Sequence, residues 1–118
     1  MMEGLISKSA LGRLLTAIGG DRDDLEELRD DYLAVARELA KRLAAAHGRA
    51  DLDTLRITAH ELKSNARDFG AESLADLCEA VERGTKLGMQ IEKADIDDIL
   101  RAEEEARFSL ANTDLSDV

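Results

Sequence analysis

The sequence has no proline and no tryptophan, and one tyrosine and two phenylalanines are its only aromatics. Without proline no helix is broken by a missing N–H. Without aromatic and β-branched enrichment the chain does not read as a sheet protein. Cys78 is the single cysteine, which excludes an intramolecular disulfide and a cysteine-based metal site. No apolar run approaches the roughly 18 residues that a bilayer span requires. Met1 to Ile6 lack a basic stretch followed by a long apolar one, so they do not read as a signal peptide. The expected setting is the cytoplasm.

What is present is charge and helix-forming residues. Asp and Glu number 26 against 16 Lys and Arg, a formal net charge of -10. An acidic body of this kind repels phosphate backbones and anionic lipid, so neither nucleic acid nor a membrane is an expected partner. At 118 residues the chain is long enough for one modest core. The expected fold is all-α: an antiparallel up-down-up-down four-helix bundle with a short additional N-terminal helix. One domain is expected over 1–118, ordered from about 7 to 111, with the acidic tail 112–118 frayed.

Punctuation and period place five helices. Ser7 or Ser9 can cap a short helix carrying Leu11, Leu14, Leu15 and Ile18, ended by Gly19-Gly20. Asp21 caps a long helix whose inward positions are expected at Leu25, Leu28, Tyr32, Val35, Leu39, Leu43 and Ala46, with Gly48 ending it. Asp51 caps a third helix that stops at Gly70. A fourth carries Leu74, Leu77, Cys78 and Val81 and ends between Gly84 and Gly88. The last runs from about Ile91 to Ala111, with Ile96, Ile99, Leu100, Ala106 and Leu110 inward.

The third helix carries a histidine whose orientation the helical period decides. Leu55, Ala59, Leu62, Ala66 and Phe69 all fall within about 180–260° of His60 at 100° per residue. The apolar stripe lies opposite the histidine, and Asp53, Arg56, Lys63, Ser64 and Arg67 share its wet face. Three of these are cations in a strongly acidic protein, suited to attract and neutralise a phosphoryl group on the ring. Ile57 lies about 60° away and adds an exposed apolar residue, the composition of a docking surface. A surface histidine without a role is the alternative that these neighbours argue against.

An antiparallel hairpin turning at Gly70-Ala71 sets His60 level with Glu82, each roughly 15–17 Å from the turn. Glu82 lies at the edge of the fourth helix's apolar stripe. From there a carboxylate can accept a hydrogen bond from Nδ1–H of His60 and leave Nε2 free to react. His47 reads as a cation near a helix C-terminus and Cys78 as core packing. The two histidines sit on different helices with no convergent ligand set, so no metal site is expected.

The run Ala59-His60-Glu61-Leu62-Lys63-Ser64, then Phe69-Gly70-Ala71, Leu74 and Leu77-Cys78, resembles the histidine-containing phosphotransfer (HPt) domain family. The Gly19-Gly20-Asp21 turn before a long helix is similar to the family as well. The resemblance implies a phosphorelay intermediate in two-component signalling. His60 would accept phosphate from a receiver-domain aspartate and pass it to another, Lys63 would stabilise the phosphoryl group, and Glu82 would orient His60. Arg56, Ile57, Ser64 and Arg67 would form the docking face for the receiver. Many family members have glycine where this chain has Ser64, and glutamine is common at the position of Glu82. The implied partners are receiver domains of a hybrid histidine kinase and a downstream regulator. The implied protein is a monomeric phosphocarrier, not an enzyme, with no cofactor of its own and Mg²⁺ on the receiver.

Two other readings fit parts of the chain. His60-Glu61-Leu62-Lys63 also resembles the phosphoacceptor box of dimeric histidine kinases, although those boxes usually carry a proline after the histidine and this chain has none. A helical adapter without phosphorylation is the third reading, and the retention of both His60 and Lys63 weighs against it.

Overall fold

The computed structural model describes residues 6–118, so the reading of Met1 to Leu5 lies outside the described residues. Five α-helices follow one another: α1 Lys8–Ala17, α2 Arg22–Gly48, α3 Leu52–Asp68, α4 Glu72–Lys86 and α5 Lys93–Ala111, then a 3₁₀ turn at Leu115–Asp117. No strand occurs among the described residues. Helix α2 packs on α3 and α5, and α4 packs on the same two, so the four long helices close a ring with empty diagonals. Cross-links fix the antiparallel sense: Arg67 reaches Asp76 and Glu79 across the α3–α4 hairpin, and Arg22 at the start of α2 reaches Leu115 beyond α5. Helix α1 lies across α2 and α3 as the expected extra element.

Each helix starts and stops where its backbone groups find partners. The side chain of Ser7 accepts from Ala10 N–H, that of Asp21 from Asp23 and Asp24, and that of Asp51 from Thr54, which satisfies donors the helix itself leaves orphaned. Helix α5 opens on a reciprocal box between Glu92 and Asp95. Helix α3 ends in a Schellman turn: Gly70 takes φ 79°, and Ala71 N–H returns to the carbonyl of Ala66 at 2.8 Å. Gly70 also accepts Ser7 N–H on its own carbonyl at 2.8 Å, so the chain ahead of α1 is tied to the α3–α4 turn.

The core is built from leucine and alanine, with Leu11, Leu25, Leu43, Leu55, Leu62, Leu74, Ile99 and Leu110 fully buried. Three expectations need correction. Leu28 and Val35, read as inward, are 37% and 47% exposed. Ala36 and Ala40 are buried in that helix instead, small side chains that permit close helix approach. Gly48 closes α2 as expected, and the left-handed turn that follows, at φ 56°, falls on Ala50. Helix α5 starts at Lys93 rather than near Ile91. The tail 112–118, expected to fray, turns back so that Leu115 is buried and Arg22 donates to the Leu115 and Val118 carbonyls at 3.3 and 2.7 Å.

Candidate phosphotransfer site

Helix α3 projects His60 outward because Ala59, Leu62 and Ala66 occupy the opposite side and are fully buried. The imidazole is 57% exposed. Beneath it lies Glu82 of α4, only 5% exposed and one of three polar or charged residues in the buried set. Oε2 of Glu82 sits 2.9 Å from Nδ1 of His60. A carboxylate only accepts, so Nδ1 donates and the ring presents the lone pair of Nε2 outward.

Glu82 also takes two lysines. Nζ of Lys63 donates to Oε1 at 2.6 Å, and Nζ of Lys86 lies 3.2 Å from Oε2. These partners pull the Glu82 carboxyl down to about 2, the Lys63 hydrogen bond most of all, with His60 and Lys86 adding to it against the opposing effect of burial. It is therefore an anion throughout the neutral range. A cleft of about 220 Å³, lined by Lys63, Glu79, Glu82, Arg83 and Lys86, opens beside it.

The structure thus brings together His60, Lys63 and Glu82. Lys63 is less open than the helical wheel placed it, with its side chain 17% exposed and its ammonium folded onto Glu82. Ile57, Ser64 and Arg67 are exposed along α3 and Arg56 is half-buried. Arg67 leans across the hairpin to Asp76 and Glu79, each at 3.4 Å, so its charge is shared with α4. Lys86 was missed by the sequence reading. Its signal was present as the spacing Glu82-x-x-x-Lys86 on one helix, a pair that meets across a single turn.

The second histidine has a different environment. Nε2–H of His47 donates to the Ile91 carbonyl at 2.8 Å, which ties the end of α2 to the α4–α5 connection. Among the described residues no three His, Cys, Asp or Glu side chains converge in a group able to hold a metal ion.

A carboxylate-held, outward-facing histidine on a four-helix bundle coincides with what similarity finds. The model of the Hpt domain family matches residues 27–107, and the chain belongs to that family. Its role is histidine phosphotransfer in phosphorelay signalling. Among solved structures it is similar to histidine-containing phosphotransfer protein B from Pseudomonas aeruginosa PAO1. The two share 25% identity and a TM-score of 0.82, over 92% of this chain and 93% of that one. No curated protein matches the sequence. No helix among the described residues is long and apolar enough to cross a membrane.

Proposed function

We propose that His60 is the phosphoacceptor of this domain. The observation that carries the reading is the 2.9 Å contact of Nδ1 with the buried Glu82 carboxylate under an otherwise exposed ring. That contact fixes the tautomer and aims Nε2 at solvent, where a partner must approach. Nε2 attacks the phosphorus of a receiver's aspartyl phosphate. The N–P bond forms, the acyl O–P bond breaks, and the receiver's carboxylate leaves. The positive charge that develops on the ring is held by Glu82 through Nδ1–H. Lys63 is close enough to offer its ammonium to the incoming phosphoryl oxygens. Reversal of the same step discharges the group onto a second receiver.

Mg²⁺ belongs to the receiver in this scheme, and the domain supplies a positioned nucleophile without kinase activity or a cofactor of its own. The small Ser64 leaves room for the receiver, and Arg56, Ile57 and Arg67 form the docking face. Ile57 is 48% exposed, and the exposed Val35 joins Glu38, Arg42 and Glu61 around a shallow groove between α2 and α3. An apolar centre with a charged rim suits transient association. The partners are receivers of a hybrid kinase and of a downstream regulator, and the setting is the cytoplasm. Four helices of a single chain close the core, which supports a monomer over the kinase dimerisation reading, where a second copy is needed.

Incubation with a phosphorylated receiver is expected to transfer acid-labile phosphate to the protein. His60→Gln should abolish the label and His47→Gln should retain it. Equal labelling of the His60→Gln variant refutes the assignment.

A further inference from the structure

Glu82 does more in this structure than orient a ring. Its Oε2 receives both Nδ1–H of His60 and the Lys86 ammonium, while Oε1 receives Lys63. One carboxylate thus engages the ring and two lysines at once. An amide at this position would offer a single uncharged acceptor and repel ammonium groups with its own N–H donors.

Resting on the reading of His60 as phosphoacceptor, we propose that the Glu82 carboxylate sets the lifetime of the phosphoryl group on His60, making the phosphorylated domain a short-lived, readily discharged donor. Two effects act in the same direction. A phosphoryl group on Nε2 departs when the N–P electron pair returns to the ring. The ring leaves as neutral imidazole only if Nδ1 keeps its proton. A carboxylate 2.9 Å from Nδ1 retains that proton more firmly than an amide oxygen would. The second effect is competition. Paired with Glu82, Lys63 and Lys86 offer a phosphoryl group less of their charge, so the anion beneath the ring weakens the cations that would otherwise prolong the phosphorylated state.

The step balances without another reactant. In hydrolysis, water adds to phosphorus as the N–P bond breaks, giving inorganic phosphate and His60 with Nδ1–H still on Glu82. In transfer, a receiver carboxylate oxygen takes the place of water.

The test compares the intact protein with Glu82→Gln, a replacement of nearly the same shape. Both are phosphorylated from a phosphorylated receiver and separated from it, and loss of acid-labile phosphate is followed by ³¹P NMR. The glutamine variant is expected to lose its phosphate about fivefold more slowly, the scale of exchanging a charge-assisted hydrogen bond for a neutral one. Lys86→Gln, an exposed position, provides the second arm. It should shorten the lifetime clearly in the Glu82→Gln background and little in the parent, because Lys86 is engaged by Glu82 only in the parent. Equal or faster loss from Glu82→Gln, or the same Lys86 effect in both backgrounds, overturns the proposal while leaving His60 as phosphoacceptor. Label persisting on His60→Gln overturns both.

Discussion

At the scale of single residues, the buried anion is the feature that distinguishes this surface. Glu82 is held at about 2 against an ordinary value of 4.5, with the Lys63 hydrogen bond as the leading cause. A depressed carboxyl favours the folded state above its unfolded value, and that contribution is lost as pH falls through the folded one. The stability advantage of the parent over Glu82→Gln should therefore be fully present above pH 4.5 and shrink progressively toward pH 2. Denaturant titrations of both proteins across that window would show it, and a gap that widens toward acid would contradict the ion-pair account. Lys63 has a double part. Because its stem is largely covered and its ammonium pairs with Glu82, Lys63→Ala is expected to cost about 1 kcal/mol of stability. It should also slow phosphotransfer without unfolding the domain, as circular dichroism and receiver assays would show.

At the scale of elements, the sequence was most legible where local chemistry alone decides. Asp21 and Asp51 cap their helices because a carboxylate before a helix meets free N–H groups whatever the tertiary fold. The outward turn of His60 and its level with Glu82 were likewise accessible, since they need only the 3.6-residue period and one reversal at Gly70. The α2 seam was not. Leu28 and Val35 fit an apolar spacing of three and four as well as the true inward residues do. The preference for Ala36 and Ala40 comes from how closely α3 and α5 approach, which is a property of the assembled bundle. The end of α2 at Gly48 was legible, whereas the left-handed turn beyond it falls on Ala50, a residue type that rarely adopts that conformation. The two turns give opposite expectations. Ala50→Gly should stabilise the protein by about 0.5–1 kcal/mol by removing a strained alanine. Gly70→Ala should cost about 2 kcal/mol or more, since its φ is also positive. There a Cβ would meet the Ser7 carbonyl oxygen at 2.6 Å. Thermal or chemical unfolding of the two variants tests both signs.

At the scale of the whole molecule, the core is mostly aliphatic, and a polar intrusion gathers around Tyr32. Tyr32 stacks on Phe69 at 4.6 Å between ring centroids, and its buried hydroxyl has no hydrogen-bond partner among the described residues. Burial raises its ionisation well above the usual phenol range, with the buried Glu103 carboxylate adding to the effect. Glu103 is itself paired with Arg107 at 3.0 Å, and the spacing of Ile99 and Ala106 places position 103 on the inward stripe of α5 despite its charge. Cys78 sits in the same interior, its thiol pushed up to about 12 by burial. A thiol reagent at neutral pH is therefore expected to label Cys78 only through opening of the bundle. Labelling should follow denaturant in step with global unfolding, and fast labelling of the native protein would contradict a closed core.

The antiparallel hairpin of α3 and α4 has a further consequence, for the order in which the molecule comes together. His60 and Glu82 are 22 residues apart along the chain, whereas Arg22 and Val118 are separated by 96. Short loops close at a smaller entropic cost than long ones, and contacts between sequence neighbours form on faster timescales. His60 and Glu82 thus belong to the most local part of the topology, and the clasp between α2 and the tail belongs to the least local. A nascent or partly opened chain can assemble the His60 cradle before the ring of helices is shut, and fraying at the far clasp leaves that cradle among the last contacts to be lost.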